Sequence, residues 1–562
     1  MPTQTKAAIR KAVKIVVSES DSPRVLINTI SGHLLDKSQR ISLFQSCPVF
    51  KKLISSMTTH IDHNHIQREV EQYYRYATFS HTWEDNEPLF EKVVHMVVYD
   101  LEESFTHDKL QMFCKIARDA GLHWAWSDTC CINKADRIVL QEALVAMFKW
   151  YEGSAVTIVF LRGVRSPSRR GDLMKSIWNT RGWTFQEYHA SRVVLFYTED
   201  WKPYLNLDIP NHKDSPQIIA EMDESTGVST CALVDIRPGF GSIREKLCLA
   251  SRRKTTLVED AAYSLFGIFS TTLPIVYGEG DHALGRLLAQ LLTGSGDTSI
   301  LAWTGKSGTF NSCLPASISV FHELPISHIG PTIIDVEIEA MLSGKRTFAP
   351  NLTLVMRLCD RLCGLPGPSF ANQRMRLPCL TFNLGPVSAT HSPSGYVAKT
   401  GTLGIVEIRT TEDLSRLDSL TLVYPWIDLL LDRQPVGGVT ETIPENTDIQ
   451  PLTGMQSAAL QTRAARLISH LRRPFSGRPA IRDVTPLRPP SSISQVDMQL
   501  RPLRVLSRLN QPFNALLLTP DLGHVAAYRR VAADSLITVR VEEITPTILN
   551  KLVDSVRVLD VL

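Results

Sequence analysis

The sequence predicts an α/β domain on a doubly wound, mostly parallel sheet, with a helical accessory layer and then a mainly β C-terminal domain. Three observations carry this. Between residues 71 and 205, short apolar runs alternate with helix-length segments, the pattern of parallel strands joined by crossover helices. The run Ala155-Val-Thr-Ile-Val-Phe-Leu161 is apolar without alternation, as a strand covered on both faces requires. Beyond residue 306 the apolar runs shorten and are separated by Pro and Gly, which favours β structure.

In chain order, residues 1–70 mix short apolar runs with polar stretches and read as a helical lead-in. Their tract His60-Ile-Asp-His-Asn-His65 reads as a metal tract or an exposed loop; with no cysteine near it, the loop is the stronger reading and no metal ligand is assigned. In the next region, 71–205, Tyr76-Ala-Thr-Phe-Ser80 reads as a strand ending in polar residues, 89–110 as a helix and 121–126 as an aromatic-rich strand. A polar connection leads to Leu140, Ala143, Leu144, Met147, Phe148 and Tyr151 at helical spacing, stopped at Gly153. After the strand at 155–161 and a basic loop at 162–170, a helix carrying Trp183 and Glu187 precedes a strand at 192–197. Residues 206–305 read as a helical extension, with Ala261, Ala262, Leu265, Phe266 and Phe269 on one face. In 306–562, strand-like runs at 402–408, 419–424, 515–518 and 535–541 are interrupted by an Arg/Pro/Ser-rich insertion near 462–495.

Composition excludes several classes. The 60 basic and 57 acidic residues leave a net charge of +3, which offers no argument for nucleic acid or a membrane surface. No run of about 18 apolar residues is present, the N-terminus lacks a secretory apolar core, and the ten cysteines form no Cys-x-x-Cys pair. The expectation is a soluble, cytoplasmic protein with reduced thiols. Neither a Gly-x-x-x-x-Gly-Lys loop nor a strand-linked Gly-x-Gly-x-x-Gly appears.

Ligands of open α/β sheets gather at the carboxyl ends of the strands, where Ser80, His81 and Asp128 fall. Asp128 in that position binds a ligand or caps the turn that follows. Trp183 and Glu187, four residues apart, occupy one helix face. An indole and a carboxylate there suit a cationic heterocycle; they equally suit a core anchor and an ion pair of Glu187 with Arg181 or Arg192. In a chain with nine tryptophans the spacing arises readily by chance, so the surrounding residues must decide.

Those residues carry a resemblance. Tyr76-Ala-Thr-Phe-Ser-His-Thr-Trp83, Trp126-Ser-Asp-Thr-Cys-Cys-Ile-Asn133, Arg181-Gly-Trp-Thr-Phe-Gln-Glu187 and Glu259-Asp-Ala-Ala-Tyr-Ser-Leu-Phe-Gly-Ile-Phe269 with Leu273-Pro-Ile-Val-Tyr-Gly-Glu-Gly280 resemble the ordered blocks of the fungal heterokaryon incompatibility (HET) domain. HET domains are distantly similar to TIR domains, so the resemblance implies a TIR/flavodoxin-like sheet and a fungal non-self recognition effector that triggers programmed cell death, a form of innate immunity. It implies self-association through this domain, a non-self or signalling partner protein, no bound cofactor, and NAD as a candidate substrate. The resemblance carries the catalytic role of a candidate NAD glycohydrolase to Glu187 alone; Ser80, His81 and Asp128, by their strand-end positions, and Trp183, by its place on the same helix face, are the candidate substrate-binding residues. A non-enzymatic scaffold acting by self-association is the alternative the same resemblance allows. Two positions depart from the usual blocks: Glu84 stands where a Trp-Gly step is usual, and Asn133-Lys134 where the second block usually closes on Gln.

Overall fold

The structure is a computed structural model that describes every residue except 1, 58–59, 227–236, 326–351, 391, 393, 418, 427–494 and 525. The described residues fall in two compact units, one within 1–239 and 253–275 and the other within 240–252, 276–447 and 482–562. Most of the insertion expected near 462–495 lies outside the described residues.

The first unit begins with helix α1 (Pro2–Val13), strands β1 (Val25–Asn28) and β2 (Leu34–Asp36), and helices α2 (Lys37–Ser46), α3 (Pro48–Ser56) and α4 (His63–Tyr74). The two strands correct the purely helical reading of 1–70. At 4 and 3 residues they are too short to show a period, and the sheet they join defines them. Asp62 caps α4 by accepting from the His65 amide at 2.9 Å, so the histidine-rich tract runs into a helix start.

Next come β3 (Tyr76–Ser80), α5 (Phe90–Val93), α6 (Phe105–Asp119), β4 (Trp124–Trp126) and α7 (Arg137–Glu152). The single helix expected over 89–110 is corrected as well. Ser104 has extended backbone and accepts from the His107 amide at 3.2 Å, which makes it the N-cap of a separate helix. Strand β5 (Val156–Leu161), short helices α8 (Asp172–Lys175) and α9 (Ile177–Thr180), α10 (Gly182–Ala190) and β6 (Val194–Thr198) follow.

The strands form one mixed sheet in the order β2-β1-β4-β3-β5-β6. Strands β4, β3, β5 and β6 are mutually parallel, while β1 pairs antiparallel with both β2 and β4. The chain steps from β3 to β4 on one side and then back past β3 to β5, so its direction across the sheet reverses at β3. Right-handed crossovers then place helices on both faces. Successive residues of β3 show this: the Phe79 ring stacks on Phe113 of α6 at 4.4 Å, whereas Ser80 bonds Glu187 of α10. The fully buried residues of β3 and β5 have no wet face, which explains why neither strand alternates apolar and polar residues; the hydroxyls of Thr78 and Thr157 bond each other at 2.7 Å.

In the second unit, β7 (Ser369–Ala371), β8 (Arg374–Asn383), β12 (Thr421–Pro425), β13 (Phe513–Pro520), β14 (Ala527–Arg530) and β16 (Val556–Val561) form one sheet, with β15 (Ile537–Val539) paired to β13. A three-stranded sheet comprises β9 (Val387–Ala389), β10 (Gly395–Thr400) and β11 (Gly404–Arg409). Among the described residues of this unit all strand pairings are antiparallel except β14 with β16, and strands dominate, as the short runs between turn residues predicted. On the helix Leu352–Cys363, Val355, Leu358, Cys359 and Leu362 are buried at i, i+3, i+4 and i+7. One helix face therefore enters this core.

Arg530 is buried in this unit. Its Nη1 donates to the Leu301 carbonyl at 2.8 Å, its Nη2 to the Trp303 carbonyl at 2.6 Å, and the guanidinium lies 3.7 Å from the Trp303 ring. Arg530→Met is expected to destabilise the unit by about 3 kcal/mol, because two carbonyls lose charged donors and a cation–π contact disappears. A drop in urea midpoint at constant m would show it; an unchanged midpoint would deny the cluster a structural role.

Candidate functional site

Ser80 closes β3 at the point where strand order reverses, and α10 carries Glu187 to it. The Ser80 hydroxyl donates to the Glu187 carboxyl and in turn accepts from Trp178 Nε1 at 2.8 Å. The Tyr151 hydroxyl also hydrogen-bonds this carboxyl while donating to the Phe79 carbonyl at 2.8 Å.

Glu187 is only 6% exposed. Burial, then the nearby charge of Asp128, push its carboxyl up to about 8 against the opposing effects of Ser80, Tyr151 and Arg181. Burial thus favours the protonated form of Glu187 near neutral pH. Its hydrogen bonds go to Ser80 and Tyr151, and Arg181 Nη1 donates instead to Thr256 at 3.1 Å.

Trp183 is held elsewhere: its Nε1 donates to Asp260 at 3.0 Å, at the start of the helix Asp260–Tyr263. The indole next to Ser80 is that of Trp178. Spacing alone favoured Trp183, because Trp178 lies on the preceding helix α9, whose orientation only the fold defines.

Asp128 lies one turn beyond β4. Its carboxylate accepts from Trp83 Nε1 at 2.8 Å, and a second oxygen is 3.7 Å from His81 Nε2. The capping role at α7 belongs to Asp136, which accepts from the Ile138 amide at 2.9 Å. The His81 ring stacks on Phe79 at 4.3 Å, and its Nδ1 lies 3.1 Å from the Thr82 carbonyl. Burial, followed by the charge of Lys109, holds His81 well below the ordinary histidine range. Lys109 itself forms a buried ion pair with Glu87 at 2.5 Å.

The two departures from the usual blocks acquire partners here. Glu84 pairs with Arg162 at 2.8 Å, and the Lys134 ammonium lies 3.4 Å from the centroid of the Trp83 ring. Cys130 and Cys131 are buried. The hydrogen bond to Cys131, then burial, raise the Cys130 thiol well above its usual value, opposite to what a nucleophilic cysteine needs.

The structure thus joins Ser80 with Glu187 and His81 with Asp128, keeps Lys134, expected just downstream of the strand ends, beside them on Trp83, and adds Trp178, Tyr151, Glu87 and Lys109. Tyr151 was visible only as one member of an apolar helical stripe. Glu87 and Lys109, 22 residues apart, carried no local signal.

Residues 76–171 match the family model described as heterokaryon incompatibility protein (HET). The chain carries a HET domain. It is similar to the vegetative incompatibility protein HET-E-1 of Podospora anserina, with 34% identity over 223 residues, covering 38% of this chain and 16% of that protein. The matched part thus spans about a sixth of that relative's length. No solved structure matches the chain. The family match to the HET domain includes Ser80, His81, Trp83, Asp128 and Lys134, and ends before Glu187. Among the described residues, no helix is long and apolar enough to cross a membrane.

Proposed function

We propose that this protein is a heterokaryon incompatibility-type effector whose HET domain cleaves NAD at the site of Glu187, leading to cell death. The observation that carries the chemistry is the hydrogen-bonded pair of Ser80 and Glu187 at the carboxyl end of β3, where strand order reverses. Counting only the parallel strands in chain order, the sequence across the sheet is 2-1-3-4, the opening order of flavodoxin-like folds, whose ligands sit at this reversal. That order supports the TIR-like reading.

In the proposed reaction the bond from ribose C1′ to the nicotinamide nitrogen breaks and the electron pair leaves with neutral nicotinamide, so no acid is needed. Ionised Glu187 stabilises the oxocarbenium-like centre. Water then adds to C1′ and a proton is released. Because only the ionised form helps, the rate rises with pH through about 8 and levels off above it. The buried carboxyl must first be uncovered.

The test is incubation of the full chain with NAD at high protein concentration. Nicotinamide release, lost by about 100-fold or more in Glu187→Ala, supports the reaction. A second reading, a scaffold acting by self-association in the cytoplasm with a non-self or signalling partner, is favoured by the 6% exposure of Glu187. Cell killing retained by Glu187→Ala would select it.

A further inference from the structure

Beside the Ser80–Glu187 pair lies a set of polar groups whose hydrogen-bonding needs are unmet. The Thr82 carbonyl can only accept, so the His81 Nδ1 beside it at 3.1 Å carries the ring proton. Burial keeps the ring neutral, which leaves Nε2 as a bare lone pair. That atom is buried without a hydrogen-bond partner, and the His81 side chain is 1% exposed. The group it faces, an Asp128 oxygen 3.7 Å away, is another acceptor. The second Asp128 oxygen already accepts from Trp83. Two acceptors converge with no donor between them, and the buried His81 nitrogen is left unsatisfied at a cost of about 1–3 kcal/mol.

The other orphan has the opposite character. Lys134 Nζ is buried, has no hydrogen-bond partner, and rests on the same indole that binds Asp128. It needs an oxygen acceptor. A molecule complementary to these groups brings two adjacent hydroxyl donors and, close by, an acceptor oxygen. A divalent cation suits this set poorly, because the positive charges of Lys109 and Lys134 already act on His81.

We propose that His81 and Asp128 form a seat for the vicinal diol of a ribose, each accepting one hydroxyl proton, while Lys134 donates to an oxygen of the attached phosphate. This rests on the reading of the strand-end site as one for a ribonucleotide, and it assigns the sugar to His81 and Asp128 and the phosphate to a residue outside the usual block pattern. The way in is through Trp83. Trp83 is 43% exposed and is held to Asp128, whose side chain is 21% exposed, by one hydrogen bond and to Lys134 by a cation–π contact, so displacing it costs about 2 kcal/mol.

Binding of AMP and of 2′,3′-dideoxy-AMP to the full-length protein, measured by calorimetry or ligand-observed NMR up to about 10 mM, tests this without any bond cleavage. AMP is expected to bind about tenfold or more tightly than the dideoxy compound. His81→Phe, which keeps the stack on Phe79, should abolish that preference, and Lys134→Met should abolish the advantage of AMP over adenosine. Equal binding of the two nucleotides by the unaltered protein overturns the proposal, as does no AMP binding in that range; neither result depends on a variant folding. NAD cleavage by a protein indifferent to the diol would remove this inference and leave the proposed reaction standing. A diol preference in a protein that never cleaves NAD would uphold it alone.

Discussion

Glu187→Gln is expected to gain stability relative to the natural protein as pH rises, by on the order of 4 kcal/mol between pH 5 and pH 9. In the folded chain the Glu187 carboxyl holds its proton up to about pH 8, whereas in the unfolded chain it releases it near its ordinary 4.5. Between those values the native state binds more protons, so stability falls as pH increases. The favourable contribution is complete below about 4.5 and lost as pH passes about 8. A shift of this size at 1.36 kcal/mol per unit sets the magnitude, and the near-total burial of the carboxyl leaves little solvent screening. Glutamine keeps the shape and cannot ionise, so its stability lacks this slope. Urea unfolding followed by tryptophan fluorescence at pH 5 and pH 9 measures the difference. Parallel profiles would mean that the native carboxyl is already ionised and reaches water. The same proton links stability to the proposed chemistry, since the ionised form that serves catalysis is the form the closed site destabilises.

Gly267→Val should destabilise the first unit by about 3 kcal/mol or more. A Cβ at Gly267 would lie 2.2 Å from Phe148 Cβ and 2.3 and 2.5 Å from two ring carbons. Phe148 Cβ is anchored to the backbone of α7, so no rotamer change relieves the overlap, and the helix Phe266–Phe269 must move away from α7. Even Gly267→Ala should be costly. Phe148→Ala should partly rescue Gly267→Ala, a coupling that a double-mutant cycle would report as clearly non-additive. If Gly267→Ala alone left the unfolding midpoint unchanged, these two helices would not pack as described.

Both predictions start from residues that the sequence marked for other reasons. Gly267 lies in a family-like block, yet nothing in the block says that its missing Cβ makes room for Phe148. Glu187 stood out through its spacing from Trp183, but the indole that matters beside it is Trp178, and Trp183 turns to Asp260. Strands β3, β5 and β6, helix α7 and the β runs of the second unit were legible because burial on one or both faces imposes a composition on local sequence. Strands β1 and β2 were not, since three or four residues carry too little pattern.

By itself the sequence determined the alternation of strands and helices, the stop at Gly153, the family blocks, and the grouping of Ser80, His81 and Asp128 at strand ends. Only the tertiary structure decided which polar atoms meet. Ser80 and Glu187 are 107 residues apart, Trp183 and Asp260 are 77 apart, and the proton on Glu187 depends on burial by groups from several elements. Periodicity and caps act within a few residues and leave a local trace, whereas hydrogen-bond partners and dielectric surroundings come from chain segments brought together only by folding.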